Sequence, residues 1–266
     1  MRLGVLKTGN IATSLVLELL LDERADRELE VDVFSTGAKM SPKDAERLLS
    51  SVRLDSYALV VYVTPNPATP GPKRVIEALA GRRAVVIGDA PGMKLRDWLE
   101  ELGLGYIFVK ADAMIGARRE FLDPNEMVLF NSDMLRVLAV TGALRVVQEE
   151  IDRAIESSDY LPRVVVDAEL AAEAAGFTSP YARAKAIAAY RACSLVAELN
   201  TSACFGMKEM ERYVQTCAAA HELLHSLAEM CDEALEMEKH QDSLLRTPHA
   251  RDGRRLRKRR LMEKPG

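Results

Sequence analysis

With 266 residues, 48% of them apolar and 29% charged, the chain can form one large domain or two modest ones, with ample material for a core. No apolar run approaches the ~20 residues that span a bilayer and the chain starts directly as a strand, so the expectation is a soluble, cytoplasmic protein without a membrane partner. The formal net charge is −4, yet residues 251–264 carry eight Lys or Arg against only Asp252 and Glu263, which leaves an acidic body with a basic C-terminal arm.

The first element is a short apolar strand, Arg2 to Leu6, followed by a Lys7-Thr8-Gly9-Asn10 turn and a helical repeat from Ile11 to Leu21. Val31 to Ser35 reads as the second strand. After Thr36-Gly37-Ala38-Lys39, Ser41 is placed to cap a helix whose first residue is Pro42. Ala58 to Val63 is an uninterrupted apolar strand, as suits a sheet covered on both faces. The loop TPNPATPGP (Thr64 to Pro72) then leads into a helix ending near Leu79. Ala84 to Ile87 is the fourth strand, Gly88-Asp89-Ala90-Pro91-Gly92 its loop, and a helix containing Trp98 follows. Gly105 to Val109 is the fifth strand, and the long loop KADAMIGARREFLD (Lys110 to Asp123) runs to Pro124, a good first residue for a helix.

Five strand–loop–helix units in succession predict a Rossmann-like, doubly wound parallel sheet with right-handed crossovers. The five loops after the strands must then lie along its carboxyl edge, where such folds bind ligands. Gly, Pro and small polar residues are concentrated there, as close backbone approach requires. No Gly-x-Gly-x-x-Gly follows the first strand, which counts against an ordinary dinucleotide site without excluding an NAD(P)-linked or other-pterin oxidoreductase. The prolines of TPNPATPGP stiffen a frame from which Asn66 can donate and accept, or they make a plain rigid connector. In the Lys110–Asp123 loop, Gly116 allows close approach, Arg118 and Arg119 offer forks for anions, and Asp112, Glu120 and Asp123 add acceptors. The alternative is a solvated loop closed by surface ion pairs.

Beyond Asp123 the pattern is helical: Pro124 to Val140, Ala143 to Ile155, Ala168 to Ala175, Pro180 to Leu199 and Lys208 to His240, with a strand-like run at Arg163 to Val166. The expected division is an α/β sheet domain over 1–125, rejoined by strand 163–166, a smaller helical bundle over 126–250, and the arm over 251–266. Cys193, Cys204, Cys217 and Cys231 contain no Cys-x-x-Cys pair and read as reduced thiols in helices. His221-Glu222-Leu223-Leu224-His225 matches the His-Glu-x-x-His pattern of zinc hydrolases, but many unrelated helices do, and a third ligand (Glu238 or His240) would be an arbitrary choice, so no metal is expected. The arm could be a nucleic-acid patch by composition; it has no interleaved aromatic residue, so no nucleic-acid partner is expected.

DAMIGARREFLDP, TPNPATPGP, GDAPG, TGALRVVQ (Thr141 to Gln148), LDERADR (Leu21 to Arg27), STGAKM (Ser35 to Met40) and LMEKP (Leu261 to Pro265) together resemble, almost end to end, archaeal methylenetetrahydromethanopterin dehydrogenase dependent on the deazaflavin coenzyme F420. The resemblance implies an oxidoreductase of one-carbon metabolism in methanogenesis. It would transfer a hydride between reduced coenzyme F420, a dissociable co-substrate, and 5,10-methenyltetrahydromethanopterin, giving the methylene form. It also implies a homo-oligomer, a hexamer built as a trimer of dimers. The acceptor is already a cation, so no acid or base side chain is expected; Asp89, Glu120 and Asp123 are candidates for favouring it by charge. Deazaflavin binding is expected from Thr8, Gly9, Asn10, Ser35, Thr36, Gly37, Pro65, Asn66, Pro67, Gly88, Ala90 and Pro91. Substrate binding is expected from Met114, Gly116, Ala117, Arg118, Arg119, Phe121 and His249, the last either closing over the pterin or being a surface turn residue. Related sequences carry lysines at several of the arm's arginines; the arm would screen anionic ligands or seal a subunit interface.

Overall fold

The structure, a computed structural model, describes residues 1–22 and 29–266, so most of the LDERADR block lies outside the described residues. The chain divides into two compact units: 1–109 with 147–166 and 249–255, and 110–146 with 167–248 and 256–266. The Lys110–Asp123 loop thus groups with the helices. Residues 147–166 group with the sheet, because a helix and a strand there pack back onto it, and the basic arm contributes to both units.

The first unit is built on β1 (Arg2–Lys7), β2 (Glu30–Ser35), β3 (Leu59–Val63), β4 (Ala84–Gly88), β5 (Gly105–Val109) and β6 (Arg163–Val166). They form one six-stranded sheet of order β2-β1-β3-β4-β5-β6, with every neighbouring pair parallel. The helices α1 (Ala12–Asp22), α2 (Pro42–Ser50), α3 (Pro70–Leu79) and α4 (Arg96–Glu101) connect the first five strands. Every residue of β3, β4 and β5 is buried, which is why these strands read as unbroken apolar runs. Leu6, Val60, Tyr62, Val86 and Phe108 project to one face and pack with Leu48, Val75, Ile76 and Leu99 from the helices. Ser41 caps α2 as expected, in a reciprocal pair with Asp44. Arg83, just before β4, donates to the Ser157 and Ser158 carbonyls at 2.6 and 2.9 Å and so holds the end of α6 (Ala143–Glu156) immediately ahead of β6.

The second unit contains α5 (Pro124–Thr141), α7 (Ala168–Ala175), α8 (Pro180–Thr201) and α9 (Met210–His240). Asp123, Asp167 and Ser179 cap α5, α7 and α8, each accepting from the backbone N–H three residues on. The buried stripe of α8 is mostly small (Ala182, Ala186, Ala189, Cys193), and so is that of α9 (Cys217, Ala220, Ala228, Cys231, Ala234), which lets the helices pack closely. All four cysteines are free; burial pushes the Cys217 thiol up to about 11 and Cys231 up to about 12, so both stay protonated at neutral pH. Among the described residues no single helix is long and apolar enough to cross a membrane.

Candidate active site

In the sheet unit, strand order reverses beside β1: β2 lies on one side of it and β3 on the other. Such a reversal opens a crevice at the carboxyl ends of the two diverging strands. Thr8 follows β1 there, fully buried, with its hydroxyl 2.6 Å from the Tyr62 hydroxyl and donating to Thr64 Oγ1 at 3.2 Å. Burial pushes the Tyr62 phenol up, beyond any physiological titration. This hydroxyl cluster ties the end of β1 to β3 under the crevice. Gly9 follows with φ +73°, and a Cβ there would stand 2.8 Å from the Pro65 ring. The turn therefore depends on glycine both for its conformation and for the approach of the β3 loop.

The rim is stiff around this point. Asn66 Oδ1 accepts from the Ala68 N–H at 3.1 Å, closing an Asx turn, while its Nδ2 donates to nothing among the described residues. Gly88, at the end of β4, lets Pro67 approach so closely that a Cβ would meet the ring at 2.7 Å. Asp89 is 9% exposed at the head of the short helical turn that carries Ala90 and Pro91. Behind the β2 loop, Thr36 is buried and its N–H bonds the Lys7 carbonyl at 3.1 Å, whereas Ser35 and Gly37 are exposed. Thus the twelve residues expected at the deazaflavin site follow four neighbouring strands, and Thr8, Gly9 and Pro65 meet at the switch point itself.

Of the other expected residues, Asp89 and His249 belong to the sheet unit and the rest to the second unit. Ala111, Asp112, Ala113 and Gly116 are buried, so the Lys110–Asp123 loop is packed rather than merely solvated. Asn200, fully buried on α8, donates from Nδ2 to the Met114 carbonyl at 2.7 Å. A Cβ on Gly116 would meet Asn200 Oδ1 at 2.7 Å and Cys217 Sγ at 2.8 Å, so only glycine fits under this clamp. The Arg118 guanidinium lies 3.6 Å above the Tyr213 ring and donates to the Cys204 carbonyl at 3.2 Å. Its own backbone N–H and the Tyr213 hydroxyl hold Glu120 below the usual carboxylate range. Ala117, Arg119, Glu120 and Asp123 are exposed, and Asp123 is committed to capping α5 at 2.8 Å. Phe121 stands edge-on to His221 at 4.8 Å.

Sequence reasoning missed Tyr62 and Thr64 behind Thr8, and Asn200, Cys204 and Tyr213 under the loop. Asn200 left a trace: it continues the apolar face Cys193–Val196, and a polar group on such a face needs a partner. The surface-turn reading of His249 does not hold. Its ring is 2% exposed and its Nε2 lies 3.1 Å from Asp152 Oδ2, itself fully buried, so it anchors the start of the arm within the sheet unit instead of forming a surface turn. The two histidines of HELLH face carboxylates of α5: His221 Nδ1 is 3.1 Å from Glu126 and His225 Nδ1 is 3.1 Å from Asp133. They engage different carboxylates nearly two turns apart on α5, as polar helix residues do. The arm is folded by its own side chains: Arg259 donates to the Gly176 and Ser243 carbonyls, both at 2.9 Å, and Glu263 accepts from the backbone of Arg259 and Arg260.

A parallel doubly wound sheet, with a Gly- and Pro-rimmed switch point, and a helical unit bearing a clamped cationic loop define a Rossmann-like α/β ligand-binding protein. The profile of one family, described as methylene-5,6,7,8-tetrahydromethanopterin dehydrogenase, matches residues 1–266. The chain belongs to that family. It is 49% identical over 272 residues to F420-dependent methylenetetrahydromethanopterin dehydrogenase of Methanothermobacter marburgensis, covering 99% of each chain. It is likewise 49% identical to the enzyme of that name from Archaeoglobus fulgidus, covering 99% of this chain and 98% of that one. A solved structure of F420-dependent methylene-tetrahydromethanopterin dehydrogenase, in complex with methylene-tetrahydromethanopterin and coenzyme F420, superposes with a TM-score of 0.95 at 47% identity, covering 100% of this chain and 99% of that one.

Proposed function

We propose that this chain is an F420-dependent methylenetetrahydromethanopterin dehydrogenase. It catalyses reversible hydride transfer between reduced coenzyme F420 and 5,10-methenyltetrahydromethanopterin, giving 5,10-methylenetetrahydromethanopterin. The carrying observation is the full-length likeness, at 47% identity, to a dehydrogenase solved with both molecules bound. The reduced deazaflavin supplies the hydride, and the acceptor carbon is already electron-poor, so neither a general acid nor a Lewis-acid metal is needed for the chemical step. The work left to the protein is to hold two flat rings in register and to keep water away.

The switch-point rim suits the first of these tasks. Gly9 and Gly88 bring backbone close, Pro65, Pro67 and Pro91 stiffen it, and Asn66 keeps an amide donor available. We assign the deazaflavin to this rim, with Thr8, Asn10, Ser35, Thr36, Gly37 and Ala90 completing it. Met114, Gly116, Ala117, Arg118, Arg119 and Phe121 are assigned to the pterin. Asp89, buried at the edge, is the carboxylate best placed by burial to favour a cation; Asp123 is already used as a cap. Arg251, Arg254, Arg257 and Arg260 are exposed, and the arm is read as screening anionic ligands or closing a subunit interface. We read the protein as a cytoplasmic homohexamer, a trimer of dimers; exposed Leu19 (65%), Tyr181 (78%) and Phe205 (77%) are apolar surface that assembly would cover.

The test is anaerobic: deazaflavin absorbance is followed after mixing protein, reduced deazaflavin and methenyltetrahydromethanopterin, with NADPH in a second cuvette and a chelator in a third. Deazaflavin oxidation unaffected by chelator is the expected result. Activity with NADPH alone would overturn the cofactor assignment and keep the fold. Light scattering on a sizing column checks the hexamer.

A further inference from the structure

Arg118 differs from the ion-paired arginines of this chain in what holds it. Arg2, Arg82, Arg136 and Arg163 each stand within ion-pairing distance of a carboxylate. Among the described residues, no Asp or Glu oxygen lies within 4.0 Å of the Arg118 guanidinium. It is nevertheless immobilised. One face rests 3.6 Å above the Tyr213 ring, and Nη1 donates to the Cys204 carbonyl at 3.2 Å. Tyr213 is itself 5% exposed, in a small core with Ala203 and Cys217 against which Phe121, Met207 and Val214 pack. The Cys204 carbonyl belongs to a single π-helical turn, Ser202–Gly206, that closes α8, and such turns recur where a backbone group must be re-aimed.

An arginine held this way has already lost its side-chain freedom, and among the described residues no carboxylate pairs with it within 4.0 Å; Glu120 acts on it only through the longer-range attraction of its charge. Among the described residues Nε and Nη2 donate to nothing, and they form the edge of the guanidinium that can donate to two oxygens side by side. Glu120 feels the Arg118 charge, but the hydrogen bonds of that exposed carboxylate come from its own backbone N–H and the Tyr213 hydroxyl, not from the guanidinium. We propose that Arg118 is an anion subsite, taking a phosphate or carboxylate group of one of the two substrates, and that Tyr213 is its positioning residue. The identity of the ligand rests on the dehydrogenase reading; the anion site rests on the geometry alone.

Two measurements on the full-length protein test it: KM and kcat for each substrate, and calorimetric titration with inorganic pyrophosphate. Arg118→Gln is expected to raise one KM by about 10- to 100-fold while kcat changes far less, the pattern of lost uniform binding. Tyr213→Leu should raise the same KM by roughly 3- to 10-fold, and Tyr213→Phe, which keeps the aromatic face, should restore most of that loss. The KM that moves shows whether the anion belongs to the pterin or to the deazaflavin. Arg118→Lys keeps the charge without the fork and should fall between; it also serves if Arg118→Gln does not fold. Unchanged KM values in Arg118→Gln, or Tyr213→Leu acting on the other substrate, would overturn the proposal. Wild-type protein inactive with both substrates would sink the dehydrogenase reading instead. The pyrophosphate titration would still decide the subsite, through weakened binding in Arg118→Gln or an unaltered isotherm that refutes it.

Discussion

The two groups of candidate residues, one in each unit, are made rigid in opposite ways. At the carboxyl edge of the sheet the backbone does it: Gly9 at φ +73°, Gly88 under Pro67, and a proline-rich loop carrying an Asx turn at Asn66. In the helical unit the Lys110–Asp123 loop contains few stiff residues of its own. It is propped from below by side chains of α8 and α9: Asn200 under Met114 and Gly116, and Tyr213 under Arg118. A rim stiffened by its own backbone can be damaged only within itself. A propped loop can be damaged from a distance along the sequence.

The strongest way to break that contrast is at Gly9. Gly9→Ala places a Cβ in the left-handed region and against the stiff Pro65 ring, so a loss of about 1–3 kcal/mol with a sharp rise in the deazaflavin KM is expected. Thermal melts and KM measurements check it. Gly37→Ala is the control: its φ is +64° but nothing lies within 4 Å, so only the conformational part, about 1 kcal/mol, should appear. Equal losses at the two positions would mean that the approach of Pro65 contributes nothing.

The propped loop is tested at Asn200. Asn200→Leu keeps the volume but leaves the Met114 carbonyl without its donor, a cost of roughly 1–3 kcal/mol. Turnover is expected to fall although the residue is nearly 90 positions from Met114 in sequence. A variant that lost stability without any change in either KM or kcat would show that the clamp is purely structural.

His221 sharpens the comparison through pH. Burial disfavours its charged form, and although the Glu126 hydrogen bond opposes this, the ring's proton affinity is lowered from the ordinary value of 6.5. The unfolded chain therefore binds a proton that the folded ring refuses. This group's contribution is fully favourable above 6.5 and is lost as pH falls through that value towards the lower folded one. Melting temperature should fall more steeply between pH 7 and pH 5 for wild type than for His221→Gln, because the helical unit loses the support that His221 gives Phe121 and Phe130. The smallest effect is expected at His225, whose ring is exposed on α9 beside Asp133. His225→Ala should leave turnover and its indifference to chelators as they were; loss of activity there would revive the zinc reading of HELLH.

Much of the sheet was legible before any coordinates. Unbroken apolar runs are what strands buried on both faces must show, and β3, β4 and β5 are buried at every position. Their alternation with helices dictates parallel pairing, and parallel pairing puts the loops on one edge. Gly9, Pro65, Asn66 and Gly88 were legible for the same reason: a residue chosen for its backbone announces its role locally. His249 was not, because nothing near it in sequence shows that Asp152 waits inside the sheet unit to bury its ring. Nor was the grouping of residues 147–162 with the sheet, ahead of the strand 163–166 that was expected there, because it depends on Arg83 capping a helix more than 70 residues away.

By itself, then, the sequence determined the strands, their common direction, the edge on which the strand loops gather and the family. Tertiary structure alone decided which side of β1 is the switch point, that Thr8 is locked to Tyr62 and Thr64, and that the Arg118 guanidinium is seated on Tyr213. The physical reason is range. Backbone preferences and hydrophobic period act over a few residues and leave their mark in the local sequence, whereas a side-chain contact across 95 positions carries no local signature until the chain has folded.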